Sequence, residues 1–301
     1  GPASRDYSEA ERVAKASDVV VLVLGLSPRL EGEEGEENLI DKSGDRVSIG
    51  LPESQEGLLQ AVLNTGTPTV VVLHSGSAVA LNTAAHHAEA VLAMWYGGEE
   101  AGTALAEVLF GDVSPAGRLP VTFYRSLDQV PPFEDYAMAG RTYRFFDGSP
   151  LYPFGYGLGY SRFAYSNLRL GAHHLHAGTE LTVDVSVTNE GPMDGDEVVQ
   201  LYLCLPTAPV PVPLRQLAGI DRLRLKVGET ANVRIVVEPR QMAWYSDDGI
   251  PTISAGLLGV AVGGGQPEPS WGSHADPGSL ASAGAFADVV EIVGDTITLP
   301  I

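Results

Sequence analysis

A change of hydrophobic period near residue 164 constrains this chain more than any other feature. Upstream, continuous apolar runs alternate with stretches of helical spacing. Asp18–Gly25 (DVVVLVLG) and Thr67–Ser75 (TPTVVVLHS) read as strands buried on both faces, and Ala90–Tyr96 (AVLAMWY) as a third strand. Helical patterns cover Tyr7–Ala16, with Ser8 as the N-cap, Pro52–Asn64, and Glu99–Phe110 ahead of Gly111; Val79–Ala90 reads as a short helix or irregular turn. Such alternation implies right-handed crossovers and a mainly parallel sheet. Downstream the period becomes two, in LTVDVSV, EVVQLYL, RLRLKV, ANVRIVV, LLGVAVGG and FADVVEIVG, with turns such as NEGPMDGD and KVGET between them. Short alternating strands at this spacing predict an antiparallel sandwich. The chain is therefore α/β plus all-β. Residues 5–125 are expected to form an α/β sandwich with a mainly parallel sheet, and 164–301 a β-sandwich. Between them, 126–163 is expected to be a connector rich in aromatics, proline and glycine, packing between the two domains.

A length of 301 residues is enough for two separate cores. The 38 acidic residues against 18 basic give a net charge of −20, which argues against nucleic acid and anionic membrane surfaces as partners and is compatible with neutral sugars. No apolar run reaches the ~20 residues that span a bilayer. The single cysteine, Cys204, excludes an intrachain disulfide and reads as a buried strand thiol. The opening GPAS resembles a protease-cleavage scar, so the chain is expected to be part of something longer.

Chemistry concentrates in one place. The aperiodic stretch Leu26–Gly50 follows the first buried strand and carries Glu31, Glu33, Glu34, Glu36 and Glu37. Sites in parallel α/β sheets gather at the carboxyl ends of strands, and crowded carboxylates raise one another's pKa, as a general acid requires. By charge alone the stretch reads more readily as a solvated acidic loop than as a site. Other constellations are absent. His86–His87 and the group His173, His174 and His176 lack zinc-pair spacing, and no GxGxxG or G-x-S-x-G motif occurs. No metal or cofactor is expected.

The order of motifs resembles glycoside hydrolase family 3, the β-glucosidase and β-xylosidase group. VVVLVLGLSPRLEGEE (19–34), GDR (44–46), LPESQEGLLQAV, TVVVLHSGSAVAL and MWYGGEEAGTALAEVLFGDVSPAGRLPVTF resemble its second domain. YRFF…LYPFGYGLGYSRF resembles its link to the third domain, and TNEGPMDGDEVVQLYL with LRQLAGIDRLRLKVGET resembles its fibronectin type III-like sandwich.

The resemblance implies retaining hydrolysis of terminal β-linked glucose or xylose in an oligosaccharide or aryl β-glycoside. The nucleophilic aspartate would lie on an N-terminal (β/α)₈ barrel absent here, and the acid/base glutamate on a second-domain loop. Glu33 is the first candidate for that glutamate and Glu31 the second; residues 34–44, eleven in all, separate Glu33 from Asp45. Asp45 and Arg46 would bind substrate or order the loop, or form a local ion pair. This chain alone is expected to be inactive. The usual first strand of the second domain is missing, which would leave a bare sheet edge open to pairing. The family also suggests a periplasmic or secreted location. Two rivals remain: a non-catalytic carbohydrate-binding or scaffold protein of the same family, and a nucleotide-binding α/β domain fused to an adhesion-type sandwich.

Overall fold

The computed structural model describes residues 6–31, 46–268 and 286–300. The chain divides into two compact units, one of residues 1–107, 122–130 and 150–152, the other of 108–121, 131–149 and 153–301.

The first unit is the α/β one. Its elements are α1 (Ser8–Lys15), β1 (Val20–Gly25), α2 (Pro28–Glu31), α3 (Glu53–Leu63), β2 (Thr69–His74), α4 (Asn82–His87), β3 (Ala90–Ala93) and the start of α5 (Ala101–Phe110). The sheet has the order β1-β2-β3, with both pairings parallel. Strand β2 lies in the middle and reads as a doubly covered strand: Val71 and Val72 are fully buried and Leu73 nearly so. Helix α3 begins after Pro52, whose fixed φ suits the entry to a helix, and turns Leu59 and Val62 inward. Burying side chains of this size contributes about 1.5–3 kcal/mol each.

Three expectations change here. Ser8 is the first residue of α1 and not its cap; Tyr7 holds the cap position, and the Asp6 carboxylate accepts the Ser8 N–H at 2.9 Å. The third strand stops at Ala93, because Trp95 takes φ 56° and turns the chain out of the sheet before Tyr96. Strand β1 is not covered on both faces: it lies at the sheet edge, and Val19, Val21 and Val23 are 44–57% exposed while Leu24 is buried. An all-apolar run predicts burial on both sides, but period-two exposure shows that one face of β1 is open.

The aromatic connector is shared between the units. Phe123 donates its N–H to the Tyr152 carbonyl (2.9 Å) and packs edge-on to Trp95 and Tyr152 within the α/β unit. Tyr143 stacks on Phe154, with centroids 4.1 Å apart, within the second unit.

That second unit is the sandwich. Its strands are β4 (Phe163–Leu170), β5 (His174–His176), β6 (Leu181–Asn189), β7 (Gly195–Cys204), β8 (Gln216–Leu225), β9 (Thr230–Val237), β10 (Trp244–Tyr245), β11 (Pro251–Ile253), β12 (Gly256–Gly263), β13 (Phe286–Val293) and β14 (Ile297–Thr298). They form sheets ordered β5-β13-β12-β7-β8 and β4-β6-β9, with a small β10-β11-β14 sheet beside them. Alternation places Val183, Val185 and Val187 of β6 against Val199 and Leu201 of β7 and Val260 and Val262 of β12. Strand β7 is buried on its other face as well, because Tyr202 and Cys204 pack against Tyr143, Phe154 and Leu217. Burial pushes the Cys204 thiol up to about 12, which makes it an inert structural group.

One buried ion pair sits on β7. Arg118 meets Glu197 at 2.7 Å, and Tyr165 donates to the same carboxylate at 2.6 Å. Burial raises the Glu197 carboxyl, opposed by Tyr165, Arg118 and the Val198 N–H. The Arg118 Nε donates to the Gly264 carbonyl, so both charges are hydrogen-bonded where water is excluded.

Candidate active site

The carboxyl ends of β1, β2 and β3 converge on Glu31. Gly25 ends β1 at φ +148°, and a Cβ there would lie 1.9 Å from the His74 carbonyl oxygen, so only glycine lets the chain leave so close to β2. The Gln55 side chain clamps this exit, accepting the Gly25 N–H (2.8 Å) and donating to its carbonyl (2.7 Å). The helical turn α2 follows, closed by Leu30 N–H and Glu31 N–H donating to the Ser27 carbonyl. It delivers the Glu31 carboxylate to the ends of β2 and β3.

Four groups hold that carboxylate. Ser75 and Ser77, just past β2, donate to Oε1 at 3.0 and 2.7 Å. Tyr96, past β3, has its hydroxyl 2.9 Å from Oε2 and 2.7 Å from the Leu26 carbonyl, one proton serving two acceptors. The Gly76 N–H contributes as well. A Cβ on Gly76 would sit 2.7 Å from the Tyr96 ring and 2.8 Å from Oε2, so the cradle closes only around glycine. Burial raises the Glu31 carboxyl, but the bonds from Ser77, Tyr96, Ser75 and Gly76 outweigh it and hold the group below the usual carboxylate range. The Tyr96 phenol is raised, first by burial and then by the neighbouring carboxylate.

Arg46 completes the cluster. Its Nη1 donates to the Ser77 hydroxyl at 2.9 Å, while Nε and Nη2 donate to the Ser48 and Gly50 carbonyls. Ser77 therefore receives Arg46 and donates to Glu31, so one hydroxyl ties together the two flanks of segment 32–45. Of the sequence candidates, the structure brings Glu31 and Arg46 together. Glu33 and Asp45 lie outside the described residues.

Three hydroxyls and a backbone N–H converge as donors on the Glu31 carboxylate and tie it to the chain just past β2 and β3. Sequence reasoning missed Ser75, Gly76, Ser77 and Tyr96, although all of them lie just past strand ends, where sites in parallel sheets gather.

A parallel α/β unit followed by a β-sandwich is the architecture that this chain shares with solved β-glucosidases. The glycosyl hydrolase family 3 C-terminal domain matches residues 3–160, and the fibronectin type III-like domain matches 197–266. A xylan 1,4-β-xylosidase of Xylanibacter ruminicola is 41% identical over 241 residues, 80% of this chain and 28% of that protein. A periplasmic β-glucosidase of Salmonella typhimurium is 35% identical over 267 residues, 85% of this chain and 34% of that protein. The solved β-glucosidase of Listeria innocua in complex with glucose is 27% identical with a TM-score of 0.78, matching 98% of this chain and 39% of that one. The chain belongs to glycosyl hydrolase family 3. It spans only about a third of the length of these curated relatives, 28% and 34%.

Proposed function

We propose that this polypeptide supplies the acid/base side of a retaining, exo-acting β-glycosidase that removes terminal glucose or xylose, with the nucleophilic aspartate on an N-terminal (β/α)₈ barrel. The observation that carries this reading is the pinning of both flanks of the glutamate loop, through Glu31 and Arg46, to one serine at the end of β2. Retention requires the two catalytic carboxyl groups about 5–5.5 Å apart, so a loop that reaches across to another domain must be held firmly at its root. Glu33, two residues beyond the anchor, is the acid/base group. It protonates the leaving oxygen and then takes a proton from the attacking water. Arg46 orders the loop, and Asp45 beside it contacts substrate. The sandwich braces the assembly. The β-xylosidase and β-glucosidase relatives support the sugar class, and the periplasmic relative supports a periplasmic or secreted location.

The roles separate by pH in the enzyme reconstituted from this chain and its barrel portion. Removing the acid/base group abolishes the basic limb of the kcat/KM profile, whereas loosening an anchor lowers the rate and keeps that limb. Glu33→Gln is expected to lose the limb and Glu31→Gln to keep it. The reverse result would make Glu31 the acid/base.

A further inference from the structure

The carboxamide of Gln55 does for Gly25 what a neighbouring strand would do. Among the described residues β1 pairs with β2 alone, and the Leu26 N–H donates to the His74 carbonyl. Successive residues of a strand direct their peptide groups to opposite edges, so the N–H and C=O of Gly25 face away from β2. Gln55 receives both: its Oε1 accepts the N–H at 2.8 Å and its Nε2 donates to the C=O at 2.7 Å. A side-chain amide carries a donor and an acceptor side by side, as a peptide group does. An ionised glutamate here sets a charge against the Gly25 carbonyl oxygen, and a leucine leaves both peptide groups unpaired.

The place of this amide matters more than its bonds. Gln55 lies one turn before Leu59 and two before Val62, the buried residues of α3, where helical spacing calls for an apolar side chain. It meets β1 at its last residue. Gly25 has φ +148°, and a glycine alone does not fix the direction in which the chain leaves. From there the path is held at each step: Leu26 by the Tyr96 hydroxyl, the turn α2 by the Ser27 carbonyl, and Glu31 by Ser75 and Ser77. Gln55 is the first of these holds in chain order.

We propose that Gln55 is a positioning residue for the acid/base step, setting the direction in which the chain leaves β1 and so the reach of the glutamate loop. The proposal rests on the half-enzyme reading above. Gln55 touches no reacting atom; it acts through Gly25 and α2 on the placement of the acid/base group.

The leaving group separates this role from a merely structural one. A basic phenolate needs a proton in order to leave, whereas a dinitrophenolate leaves unaided. For a two-step hydrolysis kcat/KM reports the steps up to release of the first product, so the later attack of water does not enter. A misplaced acid therefore costs rate on phenyl β-glycosides and little on dinitrophenyl β-glycosides. Loss of fold, or of contact with the barrel, costs both alike.

The test is kcat/KM on both substrates in the enzyme reconstituted from this chain and its barrel portion. The samples are the parent, Gln55→Glu, Gln55→Leu, Glu33→Gln, and Gln60→Leu at an exposed position of the same helix. Gln55→Glu keeps the volume of the side chain, so it decides the matter if Gln55→Leu fails to fold. Both Gln55 variants are expected to lose about tenfold to a hundredfold on the phenyl substrate and to stay within about twofold on the dinitrophenyl one. Glu33→Gln is expected to show the same pattern with a larger loss, about 10²–10⁴-fold, and Gln60→Leu no change. Equal losses on the two substrates, or none on either, would overturn the role of Gln55 while the Glu33→Gln pattern leaves the half-enzyme reading standing. Absence of that pattern in Glu33→Gln, or no turnover by the parent mixture, would sink both.

Discussion

At the residue scale, Glu31 joins the end of β1 to the segments just past β2 and β3. Its carboxyl lies below the ordinary value in the folded chain, so the stabilisation it contributes is present above the unfolded-state value of 4.5 and is lost as pH falls through the folded one. Glu31→Gln keeps the shape and removes the charge. The variant should therefore unfold at lower denaturant near pH 6, with the gap narrowing as pH falls below 4.5. Urea unfolding across that range measures it; a gap independent of pH would mean that Glu31 carries no charge in the folded state. Gly76→Ala attacks the same cradle by volume. Its Cβ overlaps the Tyr96 ring and Oε2, and overpacking of this kind costs about 1–3 kcal/mol. The acidic loop was visible in sequence as a row of glutamates after a buried strand. Which glutamate anchors it was not, because the donors Ser77 and Tyr96 lie 46 and 65 residues away in the chain.

At the element scale, strand boundaries and sheet type were legible where hydrophobic period decides them, as in β2, β6 and β12. Covering was not. The VVLVLG of β1 and the TVVVLH of β2 look alike as sequence, and only the sheet order shows that one is central and the other an edge. An edge strand carrying Val21 and Val23 toward solvent has none of the charges that normally block strand pairing. Sedimentation of the isolated chain should therefore show concentration-dependent association that Val21→Lys/Val23→Lys suppresses. A strictly monomeric parent at high concentration would contradict this. The β7 ion pair makes the opposite point: a buried Glu197 reads in sequence as one exposed position of an alternating strand, and Arg118, 79 residues away, is what allows it inside. Arg118→Met leaves that carboxylate unpaired and should cost about 3–5 kcal/mol in thermal or urea unfolding.

At the scale of the whole molecule, the switch of period near residue 164 and the ordered run of family 3 motifs carried the architecture, and the matches over 3–160 and 197–266 agree with it. The chemistry is harder to read from one chain because the proposed function divides it between two carboxylates, Glu33 here and an aspartate on a polypeptide portion outside this chain. If that proposal holds, the pure chain does not turn over aryl β-glycosides. The most direct measurement is hydrolysis of aryl β-glucoside and β-xyloside after mixing this chain with its separately expressed barrel portion, using wild type and Glu33→Gln. The expected result is no turnover by either portion alone, turnover by the wild-type mixture, and none of comparable rate with Glu33→Gln. Equal rescue by the variant, or turnover by this chain alone, would contradict it.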